Sequence, residues 1–437
     1  MLARTHRLPG AVHRTRVAAD TRRGTRTIWI VAAVVTIAAP GAEAARLRVG
    51  PTRAVTTIEA AINGNTYGPG DTIELDAARF ETAAMLKPLG SGAAGRPIVV
   101  RGAGIGRTIV SGARLSNHKA LWDVEQGNAW WTFEDMTVSG MRGAQTNARG
   151  FFLVGCQDVV VQRCEVTDCW NGFMSAGDAA RVTVQYCDVH HCGGLQGPAH
   201  NFYMSGGRDF VIRHNWIHDA QYGTCYKDRT QGLKLLYNRI ENAAIEGYEV
   251  SLAGDGSGDQ GEALLVGNIV VKSPSSSQQT HFVRFEDGRG GTLRMLYNTL
   301  VGQPRNVLVS SQAARNVFAN NILYGGASVV GGAGVEGSHN WVGAGRDVGG
   351  FVASLRTASP GFLNPGAGDY RLASGSACID AASAAAAPPP EAQWAPPHDP
   401  APRTVLGRGP DVGALETAGG TTAVRPSTWS DVKARYR

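Results

Sequence analysis

Four short segments between residues 200 and 287 carry the side chains best suited to acid–base chemistry. They are His200-Asn-Phe-Tyr-Met-Ser205, Gly223-Thr-Cys-Tyr-Lys-Asp-Arg229, Gly247-Tyr-Glu-Val-Ser-Leu252 and His281-Phe-Val-Arg-Phe-Glu-Asp287. Each alternates apolar and polar residues, the pattern of a strand with one buried face. With Phe202, Met204, Tyr226, Val250, Leu252, Val283 and Phe285 turned inward, the outer face holds Tyr203, Lys227, Arg229, Glu249, Arg284 and Glu286, with His200 at its edge. The segments before them put Phe152, Val154 and Met174 at comparable places, so the polar cluster is local.

An aromatic-bearing face lined with cations suits an extended acidic polymer, such as a polyuronate. Elimination on a uronate needs a cation on the carboxylate, a base for the C5 proton and an acid for the leaving oxygen. Arg neutralises carboxylates bidentately. Lys227 can be the base if a neighbouring cation lowers its pKa, and Arg229 is two residues away on the same face. Tyr203 or His200 is the acid on this reading, while Arg284, Glu249 and Glu286 contact substrate. Hydrolysis would instead need two carboxylates at a set separation, for which Glu249 and Glu286 are the outward pair. An ordinary solvated surface would show the same parity with no chemistry.

The elements that hold these segments form a repeat. An apolar strand, then Asn, Cys or Asp, then an apolar residue two positions on recurs from residue 130 onward. Its anchors are Asp135, Cys164, Cys187, Asn215, Asn238, Asn268, Asn298 and Asn320, with a ninth copy at Ser338-His-Asn-Trp-Val342. A unit of 20–30 residues with short strands and no helix cannot bury its own apolar face. Stacked copies can, which predicts a solenoid with equivalent strands about 4.8 Å apart. Asn at one turn position can then hydrogen-bond to its copy in the next coil. A propeller blade needs about 40 residues or more, and a sandwich lacks the repeated turn.

This chain resembles the right-handed parallel β-helix proteins, the group that includes pectate lyases and alginate or chondroitin lyases, over roughly residues 47–416. Thr57-Ile-Glu-Ala-Ala-Ile62 and Gly68-Pro-Gly-Asp-Thr-Ile-Glu-Leu75 resemble their capping helix and first coil. Ser359-Pro-Gly-Phe362, Asp369-Tyr-Arg-Leu372, Ala377-Cys-Ile-Asp380 and Gly409-Pro-Asp-Val-Gly-Ala-Leu-Glu416 resemble their closing segment. The implied fold is all-β: a single-domain right-handed parallel β-helix with a short N-terminal capping helix. The segment from Tyr226 to Ile240 is similar to the strand that carries the catalytic Lys of alginate and chondroitin lyases, here Lys227. Where those lyases place an Arg about one coil later, this chain has Glu249, so Arg229 or Arg284 would take that role. The resemblance also implies calcium, although no acidic cluster maps onto its ligands; Asp255-Gly-Ser-Gly-Asp259 reads either as a calcium loop or as a corner turn. The implied function is a polysaccharide lyase, against a hydrolase or epimerase on the same fold and a non-catalytic carbohydrate-binding protein.

Composition fits this frame. Of 437 residues 57 are Gly, without a three-residue period, which excludes collagen and suits many tight turns. Of the net charge of +6, +5 resides in the leader: residues 1–44 hold seven Arg against Asp20 and Glu43, leaving 35 basic and 34 acidic residues, a net of +1, in the body. Nucleic-acid binding therefore loses its main support. Residues 1–44 read as a signal peptide, with an apolar run from Ile28 to Ala39 and a small-x-small site at Ala42-Glu-Ala44. The expectation is a secreted or periplasmic monomer, off the membrane after signal cleavage, with the β-helix over 45–416, an Ala/Pro-rich loop at 381–402 and a tail at 417–437. Cys164-x4-Cys169 and Cys187-x4-Cys192 lie one repeat apart, which fits a Cys169–Cys192 disulfide or a ladder of thiols equally. His190, His191, His200, His214 and His218 fall within 29 residues but read as separate turn histidines, so no metal site is expected. Trp130-Trp131 fits core packing or sugar stacking.

Overall fold

The computed structural model describes residues 44–116, 119–142, 147–194, 199–243, 248–253, 261–272, 281–286, 290–303, 307–326, 328–331, 334–345, 348–395 and 401–417. The leader, the acidic loop at 255–259 and residues 418–437 lie outside them.

Three parallel sheets make a β-solenoid, with 13, 10 and 9 strands among the described residues. A typical coil runs Val160–Gln162 in the first sheet, Glu165–Thr167 in the second and Asn171–Ala176 in the third, then returns to the first at Thr183–Gln185. Thr57 caps a helix at Ile58–Ile62 by accepting from Ala60 N, and Ile58, Ala61 and Ile62 are buried over the first coil. Among the described residues no helix is long and apolar enough to cross a membrane.

Two residues join the first sheet to the second, and the first of them has positive φ in coil after coil: Arg163, Tyr186, His214, Tyr237, Gly267, Tyr297, Asn320 and His339. This left-handed step turns the next side chain into the core. Asn215, Asn238, Asn268, Asn298, Asn321 and Asn340 occupy that position, each fully buried. In the first five the amide nitrogen donates to the next Asn Oδ1, at 2.9–3.0 Å, and Asn340 ends the ladder by donating to Phe318 O. Two anchors expected from sequence are off by one. Asn321, not Asn320, joins the ladder, and Met136, not Asp135, is buried in the first of these coils; Asp135 and Asn320 are the left-handed residues.

Cys164 and Cys187 take the same turn position in two earlier coils, Cys187 N donating to Asn215 Oδ1 at 2.9 Å. All seven cysteines are free and buried. The thiol ladder therefore stands in place of the Cys169–Cys192 disulfide, and burial pushes the Cys156 and Cys378 thiols up to about 12.

The inner face of the third sheet is a stack of large rings: Trp122, Phe151, Phe173, Phe202 and Tyr226, each in register with the next. Phe173 and Phe202 lie 4.6 Å apart and nearly parallel. Each such contact contributes about 0.5–1.5 kcal/mol beyond burial. Trp131 belongs to the core as well, its indole donating to Gly90 O at 2.8 Å. At the far end the segment after Ala381 packs back on the coils. There Tyr297 Oη donates to Ala387 O, and Arg403 pairs with Glu416 at 2.9 Å with both side chains buried.

Asn268→Ala removes the acceptor for both Asn238 nitrogens and leaves Leu235 O without its donor. At ~1–3 kcal/mol per unpaired buried group, chemical denaturation should show a loss of about 2–4 kcal/mol. Thiol titration should find none of the seven cysteines reactive in the folded chain and all seven after unfolding.

Candidate functional site

The outer face of the third sheet follows from the ring stack beneath it. Because Phe202 and Tyr226 point in, Tyr203 and Lys227 point out, and strand pairing puts them side by side. The same column runs Phe152, Met174, Tyr203, Lys227, Ser251, Arg284 and Ser310, one residue per coil. It is apolar on the N-terminal side and polar from Tyr203 onward, as the sequence implied.

Tyr203 is the hub of this column. Lys227 Nζ lies 5.2 Å from its ring centroid and the Arg229 guanidinium 5.9 Å from it. Both distances are within cation–π range. Arg229 Nε is buried and has no hydrogen-bond partner, while the residue as a whole is half-buried. Three of the residues expected to act together are thus gathered on one ring.

His200 sits under this group rather than in it. Its side chain is buried, its ring 5.3 Å from that of Tyr203. Thr224 N donates to Nδ1 at 2.9 Å, so the single ring proton is on Nε2. Burial, with Lys227 and Arg229 nearby, lowers its pKa to about 3. His200 is therefore neutral at ordinary pH and is not an imidazolium acid. Gly223 makes room for the ring: a Cβ there would stand 2.1 Å from Ala199 O and 2.5 Å from His200 Nδ1.

Glu249 is the clearest departure from the expected parity. It is fully buried, 3.3 Å from the equally buried Lys272, and does not reach the outer face. The strand begins only at Val250, so position 249 lies on the corner before it, where Asn201 and Cys225 also turn inward in neighbouring coils. Strand alternation does not extend across a corner. Glu249 is accordingly removed from the substrate-contacting set.

Arg284 and Glu286 do face outward, and they satisfy each other: Arg284 Nε donates to Glu286 Oε2 at 2.7 Å. The Arg284 guanidinium also lies 5.2 Å from the ring of Tyr248, and Ser310 Oγ bonds to Glu286. Tyr248 and Arg149, whose guanidinium is 4.3 Å from the Phe152 ring, extend the face in ways the strand pattern did not reveal. Arg149 opens its strand and Tyr248 lies on the corner before Val250, places where parity is weakest as a guide.

The histidines are not all separate. On the second sheet His190 and His218 are register neighbours with Asp188 beside them. His214, by contrast, lies between the rings of Tyr186 and Tyr237, and burial lowers its pKa to about 4.

A family model described as a right-handed beta helix region matches residues 98–270. No curated protein matches. Among solved structures, that of pectate lyase Pel9A superposes with a TM-score of 0.63 at 15% identity, covering 86% of this chain and 97% of that one. A lacto-N-biosidase from Eubacterium ramulus gives 0.50 at 12% identity over 72% of this chain and 68% of its own. This is a right-handed parallel β-helix. The fold is one that polysaccharide lyases and glycosidases share, and identities this low carry the likeness no further than the fold.

Glu249 supplies a pH test of the burial described above. Desolvation outweighs the attraction of Lys272 and raises its pKa from 4.5 to about 8. Between those values the folded chain holds a proton that the unfolded chain releases, so stability falls as pH rises through that window, by at most about 1.4 kcal/mol per pH unit. Denaturation midpoints measured from pH 5 to 8 should flatten in Glu249→Gln relative to the unsubstituted chain.

Proposed function

We propose that the protein is a secreted polysaccharide lyase acting on a uronic-acid polymer along the outer face of the third sheet. The observation that carries this reading is the convergence of Lys227 and Arg229 on the Tyr203 ring, with Arg229 Nε buried and unpartnered. The polymer lies across the coils, and Arg229 pairs with the carboxylate of the reacting sugar. Lys227 takes the C5 proton. The electron pair left behind forms the C4–C5 double bond while the C4–O bond breaks, and Tyr203 protonates the departing oxygen. Arg284 and Glu286, two coils beyond Lys227 on the same face, offer a further polar contact for the chain. The leader at 1–44 is read as directing export. Hydrolysis is disfavoured because Glu249, one half of the only outward carboxylate pair nominated from sequence, is buried.

The test uses the purified chain against a panel of uronate polymers, with calcium and with chelator. An ultraviolet absorbance rise from the unsaturated product on one polymer is the expected result. New reducing ends without that absorbance would make the protein a hydrolase, and neither signal would end the catalytic reading. Lys227→Ala should lower turnover by about 10²–10⁴-fold, the usual contribution of a positioned base. Its thermal midpoint should barely move, because the side chain points outward.

A further inference from the structure

We propose that the outer face of the second sheet holds a divalent transition-metal ion of the zinc class, bound by Asp188, His190 and His218. This site is on a different sheet from the face assigned to catalysis and does not rest on that assignment.

The three ligands come from two adjacent strands by simple strand geometry. Asp188 and His190 are two apart on Asp188–His190, so they share one face. His218 pairs with His190 in the next coil. One donor atom from each residue lies within 4.8 Å of the other two. The two imidazoles are stacked, 4.9 Å between centroids. Glu165, one coil earlier and in register with Asp188, brings Oε1 to 3.3 Å from His190 Nε2. Its carboxylate is not among the donors that already lie together, and a shift of its side chain would bring it in as a fourth ligand.

The orientation of the rings argues for an ion rather than a chance grouping. His218 Nδ1 lies 2.7 Å from Asp219 Oδ2, which leaves Nε2 facing Asp188 Oδ1 at 2.9 Å. His190 Nδ1 lies 3.2 Å from Thr167 Oγ1 and 2.6 Å from His191 Nδ1, which leaves its Nε2 toward Glu165. In both rings an outer partner holds Nδ1 while Nε2 faces a carboxylate, the arrangement by which supporting groups orient metal-bound histidines. The Trp216 ring covers His218 at 3.4 Å and is itself fixed by Nε1 donating to Glu241 at 2.7 Å. His218 is buried as a result. Two imidazoles and one or two carboxylates suit zinc, and also Co²⁺ or Ni²⁺, better than calcium, which prefers oxygen alone. Such an ion would tie together the coils that carry Glu165, Asp188 and His218.

The experiment is equilibrium dialysis of the untagged full chain against Zn²⁺ after treatment with chelator, with Co²⁺ as a spectroscopic probe. One ion per chain, with Co²⁺ absorbance characteristic of nitrogen and oxygen ligands, is expected. His190→Ala should abolish uptake, and Asp219→Asn, which touches no ion, should weaken it about 10–100-fold. His190 is only half-buried, so this variant keeps the test sound if substitution of buried His218 prevents folding; its circular dichroism in chelator should match that of the unsubstituted chain. A chain that retains no ion, or a folded His190→Ala protein that binds as well as the original, overturns the site and leaves an ion-pair network only.

Discussion

Everything in this protein depends on coils stacking in register, and the side-chain ladder inside the first turn enforces that register. An Asn amide buried without partners would be strongly unfavourable. Here each one is satisfied only if the next coil places its own Asn one strand spacing away. A slip by one residue would break the ladder and turn an inward side chain out at the same time. The turn itself imposes a left-handed backbone step on residues as bulky as Tyr237 and Tyr297. That local strain is offset by the hydrogen bonds and packing it makes available.

Register has a chemical consequence on the outside. Once Phe202 and Tyr226 are fixed in the ring stack, Tyr203 and Lys227 are held beside one another with little freedom to choose other neighbours. The same constraint brings His190 and His218 face to face on the second sheet, though 28 residues of chain separate them. Rigid strands are good supports for such groups because the backbone does not need to be ordered when a ligand arrives. A solenoid can therefore carry independent constellations on different sheets without either disturbing the core.

Polar groups that do not face water are handled by pairing. Glu249 and Lys272 meet at a corner, Arg403 and Glu416 close the C-terminal segment, and Asp228 accepts from Tyr226 and Thr230 inside the coil. Such interactions hold corners and ends, where the apolar stacks thin out. They also explain why an ionisable residue next to a strand is an unreliable sign of a surface site.

The repeat, the parallel β-helix class, the inward rings and the outward placement of Tyr203, Lys227, Arg229, Arg284 and Glu286 were legible in the sequence, because strand alternation and a recurring turn are local patterns. Glu249 and His200 were not, since alternation lapses at corners and burial depends on what the next coil contributes. The Asn320 and Asp135 anchors were misplaced by one residue for a related reason: adjacent polar residues fit the turn motif equally until φ separates them. The histidine grouping lay in the sequence and was missed: His190 and His218 each stand three residues after a turn anchor, Cys187 and Asn215, an offset that makes them register neighbours once the coils stack. Sequence alone determined which residues alternate and repeat; tertiary structure decided which of them meet, because contact across coils is set by register in space and not by distance along the chain.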